Sequence, residues 1–261
     1  MTPEFARRPP FPWRAWLAAV GVVAVLGWSA AGTRFDPGRL AAGIPEILIF
    51  FRGMLPPWPA GFAHRLWEPL LETLRIAIAS SLGGALLALP FCLVGARNLA
   101  PTPWVHALGR GVLNLLRTVP DLVLAALLAA AFGIGPAAGF LALLLFSFGV
   151  VAKLLADTVE TIDPGPMEAV AAAGGTRLAQ AVLAVLPQVA PDFVAYTLYA
   201  FEINVRAAAV LGLVGAGGIG VLLKTQIAFL NYGNVGIIVA ATFVVVFLID
   251  TLSGALRRRL A

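Results

Sequence analysis

Three polar residues interrupt an apolar run: Glu202, Asn204 and Arg206, in the segment FEINVRAAAVL. A charge at bilayer depth costs about 2.5–3.5 kcal/mol on insertion scales, so it must pair or face water. Glu202 and Arg206 are four residues apart, in the order that favours an ion pair on one helix face. Two chemistries fit. One is a self-paired brace between helices. The other is a translocation path on which Asn204 and Arg206, with Glu202 beside them, face a passing oxyanion. Arg117 and Thr118, in the segment RTVPD, pose the same choice. Arg117 can line a cavity, or it can stretch back to the aqueous surface from an early position in its apolar run. Arg75 extends outward from its own run, and Asp121 and Asp250 can cap, pair or exchange a proton.

A second group is Gly215-Ala-Gly217-Gly218-Ile-Gly220. As a string it fits a dinucleotide fingerprint, but that fingerprint needs a strand before it and a helix after it. Here it falls between apolar runs, so it is set aside. Lys224-Thr225 follows, yet Leu223 stands where a P-loop needs glycine, so ATP binding by this chain is not expected. Two readings remain: a tight re-entrant turn, or an outer gate in which Gly215, Gly217 and Gly218 turn backbone amides toward an anion. His64 and His106 are isolated. No His, Cys, Asp or Glu cluster has metal-ligand spacing, and no nucleophile, base and orienting group stand together. An enzyme is not expected.

The elements that must hold these residues are apolar helices. The 261 residues are 60% hydrophobic and 12% charged, against about a quarter charged in soluble domains. Apolar runs of about 20 residues fit helices, and barrel-type alternation is absent. Six spans are expected, at about Ala15 to Gly32, Pro69 to Gly95, Val112 to Phe132, Ala137 to Ala156, Leu183 to Leu213 and Tyr232 to Leu256. The first follows Arg7, Arg8 and Arg14 and reads as a retained helix rather than a cleaved signal. Within residues 33–68, the run Ile44 to Leu55 is too short to span and reads as interfacial. Arg97 to Arg110 reads as a loop. Cys92 reads as a small buried hydrophobe. Ten basic residues lie on the side of both termini and five on the other, leaving out Arg75, Arg117 and Arg206 within spans. The bias puts the termini in the cytoplasm. The net charge of +5 is spread over the loops, which suits anionic lipid headgroups and gives no sign of nucleic acid.

Between the fourth and fifth runs lies a polar elbow, residues 157–182, carrying Asp157, Glu160, Asp163, Glu168, Arg177 and Gln180. Asp163-Pro164-Gly165-Pro166 stops one helix and starts another. Gly174-Gly175 ends the second after about two turns. The spacing of Glu168-Ala169, Gly174 and Leu186-Pro187 resembles the EAA loop of permease subunits in bacterial ABC importers, with Val170 and Ala184 departing from the family pattern. The flanks IDPGPMEAV, VLPQVAP and YTLYAFEINVRAAAVLGLVGAGGIG are similar to those of phosphonate or phosphite permeases, from about Leu70 onward.

That resemblance implies an all-α polytopic bundle of the type I importer class, one transmembrane domain paired with a second copy as a homodimer. It implies two ATPase subunits that hold ATP and Mg, and a periplasmic or lipid-anchored substrate-binding protein. Glu168, Ala169, Gly174, Gly175, Leu186 and Pro187 would form the ATPase-coupling element. Two other assignments remain open: an importer for another small solute such as methionine, and a secondary transporter, which would call for an inverted repeat.

Overall fold

The computed structural model describes residues 13–33 and 36–260. Arg7, Arg8 and Arg34, which enter the charge count above, lie outside the described residues, as does most of the expected cytoplasmic N-terminus. Internal contacts divide the chain at Arg52/Gly53. The first unit holds α1 (Trp13–Gly32) and most of α2 (Pro37–Met54). Helix α1 is apolar on every face and has no buried residue in its own unit, the pattern of a lipid-facing span. Helix α2 is longer than the short run expected, because Pro37 begins it and Pro45 is tolerated inside.

The second unit is a helical bundle. A 3-10 turn (Ala60–Leu66) leads into α3 (Trp67–Gly95), followed by α4 (Pro103–Thr118), α5 (Asp121–Phe132) and α6 (Pro136–Val159). The elbow holds α7 (Gly165–Ala172) and α8 (Arg177–Gln180). A π turn (Ala181–Val185) joins α8 to α9 (Leu186–Leu211). After a 3-10 turn (Gly212–Val214) come α10 (Ile219–Ala228) and α11 (Tyr232–Leu260). Among the described residues there is no strand, and five helical stretches are long and apolar enough to cross a membrane.

The third expected span is corrected. It is two helices, α4 and α5, bent by 88° at Val119-Pro120. Pro120 offers no amide and its ring disfavours helix at Val119; Val119 is extended, with φ −81° and ψ 120°. The loop after α3 is correspondingly shorter than expected, since Thr102 caps α4 by accepting from the Val105 amide and Pro103 fills the first turn. The middle of α4 lies with the C-terminal ends of α3 and α6, through Arg110 to Gly95, Asp157 and Glu160. The end of α5 lies one short turn from the start of α6.

The bundle is held by close approach of small residues. On α3 and α6, Ala77, Ala85, Ala88, Ala142 and Ala152 are buried. A Cβ added at Gly84 would come within 2.6 Å of the Ser147 Cβ and 2.7 Å of the Leu144 carbonyl oxygen. Such residues let membrane helices gain packing energy that water does not supply. At the centre, the Asn204 amide reaches Ser147 Oγ at 2.6 Å, Ser81 Oγ at 2.8 Å and Ser80 Oγ at 3.2 Å. These serines stand near the midpoints of α3 and α6, so one side chain of α9 ties three helices together.

Gly84→Ala is expected to lower stability by about 1–3 kcal/mol through overpacking. Gly111→Ala, where nothing lies within 4 Å, should be neutral or raise stability by up to about 1 kcal/mol. Thermal unfolding of the two variants in detergent checks both.

Candidate functional site

Helix α9 turns its three polar residues in different directions. Asn204 is fully buried among the serines, so the expectation that it faces a path is not met. The Glu202 carboxylate is also enclosed, and it accepts from Arg257 Nη2 of α11 at 2.5 Å. It does not pair with Arg206. The Arg206 Nε donates to the Glu202 backbone carbonyl at 3.3 Å, while its Nη1 lies 3.8 Å from Asp250 Oδ2 of α11. The self-paired brace is therefore replaced by two pairs between α9 and α11. The i, i+4 rule accounts for one helix alone and could not anticipate a partner helix.

Arg206 is the one of the three that stays open. Its side chain is 52% exposed. Tyr199, Ile203 and Arg206 follow at helical spacing, so they share a stripe of α9. Tyr199 and Ile203, together with Phe146, Val150, Leu154 and Arg117, line a concavity of about 260 Å³. Arg117 and Arg206 thus open toward one face of the bundle. Arg117 is not early in a span. It ends α4, about 21 Å along the helix from Pro103, and its Cγ lies against Gly149, which is two residues from the central Ser147. Thr118 is also exposed, with its hydroxyl donating back to Leu115 O at 2.7 Å.

The glycine turn packs tightly at the other end of the bundle. Gly215, Gly217 and Gly218 all have positive φ (92°, 85° and 71°), which favours glycine. The Gly215 amide donates to Gly212 O and the Ala216 amide to Leu211 O. The Ile219 amide donates to Thr73 Oγ1 of α3 at 2.8 Å. A Cβ on Gly217 would lie 3.1 Å from a Glu72 carboxylate oxygen. Glu72 and the three glycines line one pocket of about 480 Å³ with Pro136 and Thr225. A carboxylate stands where the anion-facing gate would hold its guest, so the geometry favours the turn over anion capture.

The elbow has the form the sequence implied. Asp163 Oδ1 accepts from the Gly165 amide at 2.9 Å and starts α7. At the other end, the Gly175 amide bonds Val170 O and the Gly174 amide bonds Ala171 O, each at 2.9 Å. With Gly174 at φ 80° this is a Schellman close. No residue of α7 is buried. Glu168, Ala169, Gly174, Leu186 and Pro187 are exposed, and Gly175 is half-buried under Val170. Glu168 has no side-chain partner among the described residues. Helix α7 is anchored by Met167, which packs with Ile162 against a cluster of Leu155, Val159, Val185 and Val189.

Next to the elbow is a clamp that sequence reasoning missed. Arg110 of α4 binds Asp157 and, at 2.8 Å, Glu160 at the end of α6. Its Nε donates to Gly95 O, and the Arg97 amide donates to Glu160 at 2.8 Å. Arg177 of α8 donates to Ala100 O, and Asn98 to Val159 O. Polar residues at the mouths of apolar runs were the available signal. Burial pushes the Glu160 carboxyl up, but the Arg97 amide, the Arg110 guanidinium and His106 outweigh it and hold the carboxyl below its usual value.

The fold is that of ABC importer permeases. A MetNI methionine ABC transporter in an inward-facing conformation superimposes with TM-score 0.64, covering 75% of this chain and 96% of that chain at 22% identity. An amino acid ABC transporter solved with histidines gives TM-score 0.61 at 21% identity, covering 74% of this chain and 93% of that one. Residues 88–261 match the family model described as binding-protein-dependent transport system inner membrane component, and the chain belongs to that family.

Among its relatives is the phosphate-import permease protein PhnE of Mycolicibacterium smegmatis, 40% identical over 95% of this chain. This chain spans 48% of that relative's length. The phosphite transport system permease protein PtxC of Stutzerimonas stutzeri is 39% identical, over 91% of this chain and 86% of its own.

The lowered carboxyl of Glu160 fixes the sign of a pH effect. A carboxylate depressed on folding adds stability above its unfolded pKa, and that stability is lost as pH falls through the folded value. Wild type is expected to exceed Glu160→Gln in thermal stability by its full margin at pH 7. That margin should shrink as pH falls below about 4.5, the ordinary value for this group. Melting curves of both proteins between pH 7 and pH 3 check it.

Proposed function

We propose that this chain is the membrane-spanning permease of an ATP-driven importer for a phosphorus oxyanion: phosphite, a phosphonate or phosphate. The observation that carries the reading is the pair of guanidiniums, Arg117 and Arg206, open on one face at mid-bundle. The carboxylate of Glu202 is turned inward to Arg257, and Arg206 keeps only a 3.8 Å contact with Asp250. Charges left open at membrane depth need a water-filled path. The named relatives favour a phosphorus anion over methionine, since the likeness to the methionine transporter is one of fold at 22% identity.

Two copies of the chain would close around this face, leaving Arg117, Arg206 and Thr118 on a central path. Asn204 and Glu202 would serve that path from behind, by fixing the orientation of α9. The glycine turn at Gly215, Gly217 and Gly218 would act as a packed outer hinge. Both termini would be cytoplasmic, with anionic lipid headgroups around the C-terminal arginines, and nucleic acid has no part. A substrate-binding protein would deliver the anion to the outer end. At the inner end, the exposed α7 would dock on an ATPase subunit, one per copy, and that subunit would hold ATP and Mg. Closure of the ATPase pair would then push α7 as a rigid body and tilt α6 and α9 against the rest. Arginines that held the anion too tightly would prevent its release inward.

Two outcomes test this. Glu168→Arg is expected to abolish ATP-dependent uptake of phosphite or methylphosphonate in proteoliposomes and to weaken co-purification of the ATPase, while the chain still inserts. Retention of the ATPase at wild-type strength would count against docking at α7. Arg206→Ala should cut uptake at least about tenfold with assembly unchanged; uptake at the wild-type rate would remove Arg206 from the path.

A further inference from the structure

The quartet Glu202, Arg206, Asp250 and Arg257 is two acids and two bases shared between α9 and α11, but the two pairs are unequal. Glu202 and Arg257 meet at 2.5 Å, and the Glu202 side chain is only 7% exposed. Arg206 and Asp250 lie 3.8 Å apart, and their side chains are 52% and 41% exposed. The Nε of Arg206 is fixed on the Glu202 carbonyl, so its outer nitrogens are left to choose a partner. Asp250 Oδ1 is buried with no hydrogen-bond partner among the described residues. This carboxylate is therefore placed beside the arginine without saturating it and without being saturated itself.

We propose that Asp250 is the resident counter-ion of Arg206, which the translocated anion must displace and which afterwards drives that anion off. The inference rests on the phosphorus-oxyanion reading above and deepens it. An arginine at membrane depth is costly when unpaired, and Asp250 offsets that cost while the path is empty. A close bidentate pair would be difficult to open; a single contact at 3.8 Å is readily exchanged for a dianionic or monoanionic phosphorus oxyacid. Once the anion sits on Arg206, the freed Asp250 carboxylate repels it. Glu202 cannot perform this role, because Arg257 already neutralises it. The arrangement sets affinity low enough for release, since a site occupied internally for most of the time binds its guest more weakly by that same fraction.

The test uses the assembled complex of permease and ATPase, with phosphite and methylphosphonate as probes. In the absence of the binding protein, calorimetry should show Asp250→Asn binding phosphite about three- to tenfold more tightly than wild type. In proteoliposomes with saturating loaded binding protein, maximal uptake by the same variant should fall by a similar factor. Asp250→Glu, which keeps the charge, should stay near wild type in both. Asp250→Ser supplies the same readouts should the asparagine variant fail to assemble. Equal or weaker binding by the neutral variants would overturn the proposal, because a carboxylate that merely positions Arg206 weakens binding when it is removed. If the wild-type complex neither binds nor imports either probe, the substrate reading itself falls and takes this inference with it. If wild type does both and the neutral variants bind no more tightly, the counter-ion role alone is lost.

Discussion

The bundle depends on one constraint: polar groups inside a bilayer must find their partners within the protein. Asn204 meets it on one side, its Nδ2 donating to hydroxyls from α3 and α6, while its buried Oδ1 has no partner among the described residues. Ser80 and Ser81 have their own protons engaged by Ala77 O, so their lone pairs are free to accept from the amide. The small residues around this point follow from the same requirement, since the amide reaches across only where helices approach closely. The same contact fixes the rotation of α9. With Asn204 turned to α3 and α6, Glu202 points to α11 and Arg206 is left on the open side.

The two ends of the bundle are built differently. At the glycine turn, several backbone contacts leave no room for a side chain. A Cβ on Gly212 would meet Gly220 Cα at 2.5 Å, and one on Gly139 would meet Ala216 O at 2.6 Å. The elbow end is a network of side-chain charges and carbonyls around Arg110, with an apolar plug beneath α7. Packed backbones make the first stiff, whereas the ionic network holds α3, α4 and α6 together beside the elbow.

The helices themselves were legible because runs of apolar residues near 20 long leave few alternatives in a chain this hydrophobic. The elbow was legible from Asp163-Pro164-Gly165-Pro166 and Gly174-Gly175, whose backbone preferences act locally. What depended on another helix was not. The apolar run from Val112 to Phe132 gave no sign that it would fold back by 88°, although Pro120 marked the place. Glu202 and Arg206 satisfy the spacing of a pair on one helix, yet each takes its side-chain partner from α11. Asn204 looked available to a path because nothing nearby in the chain announces Ser80, Ser81 and Ser147.

The π turn at Ala181–Val185 leaves one residue more than an α-helix would need between the elbow and α9. Each residue of a helix turns its neighbours by about 100°. The extra residue therefore sets the compass heading of α8 without altering the rest of α9. One residue gained or lost there would turn α8 by about 100° against α9. The heading of the elbow and the rotation of the membrane helix are thus set by separate residues, the π turn for one and Asn204 for the other.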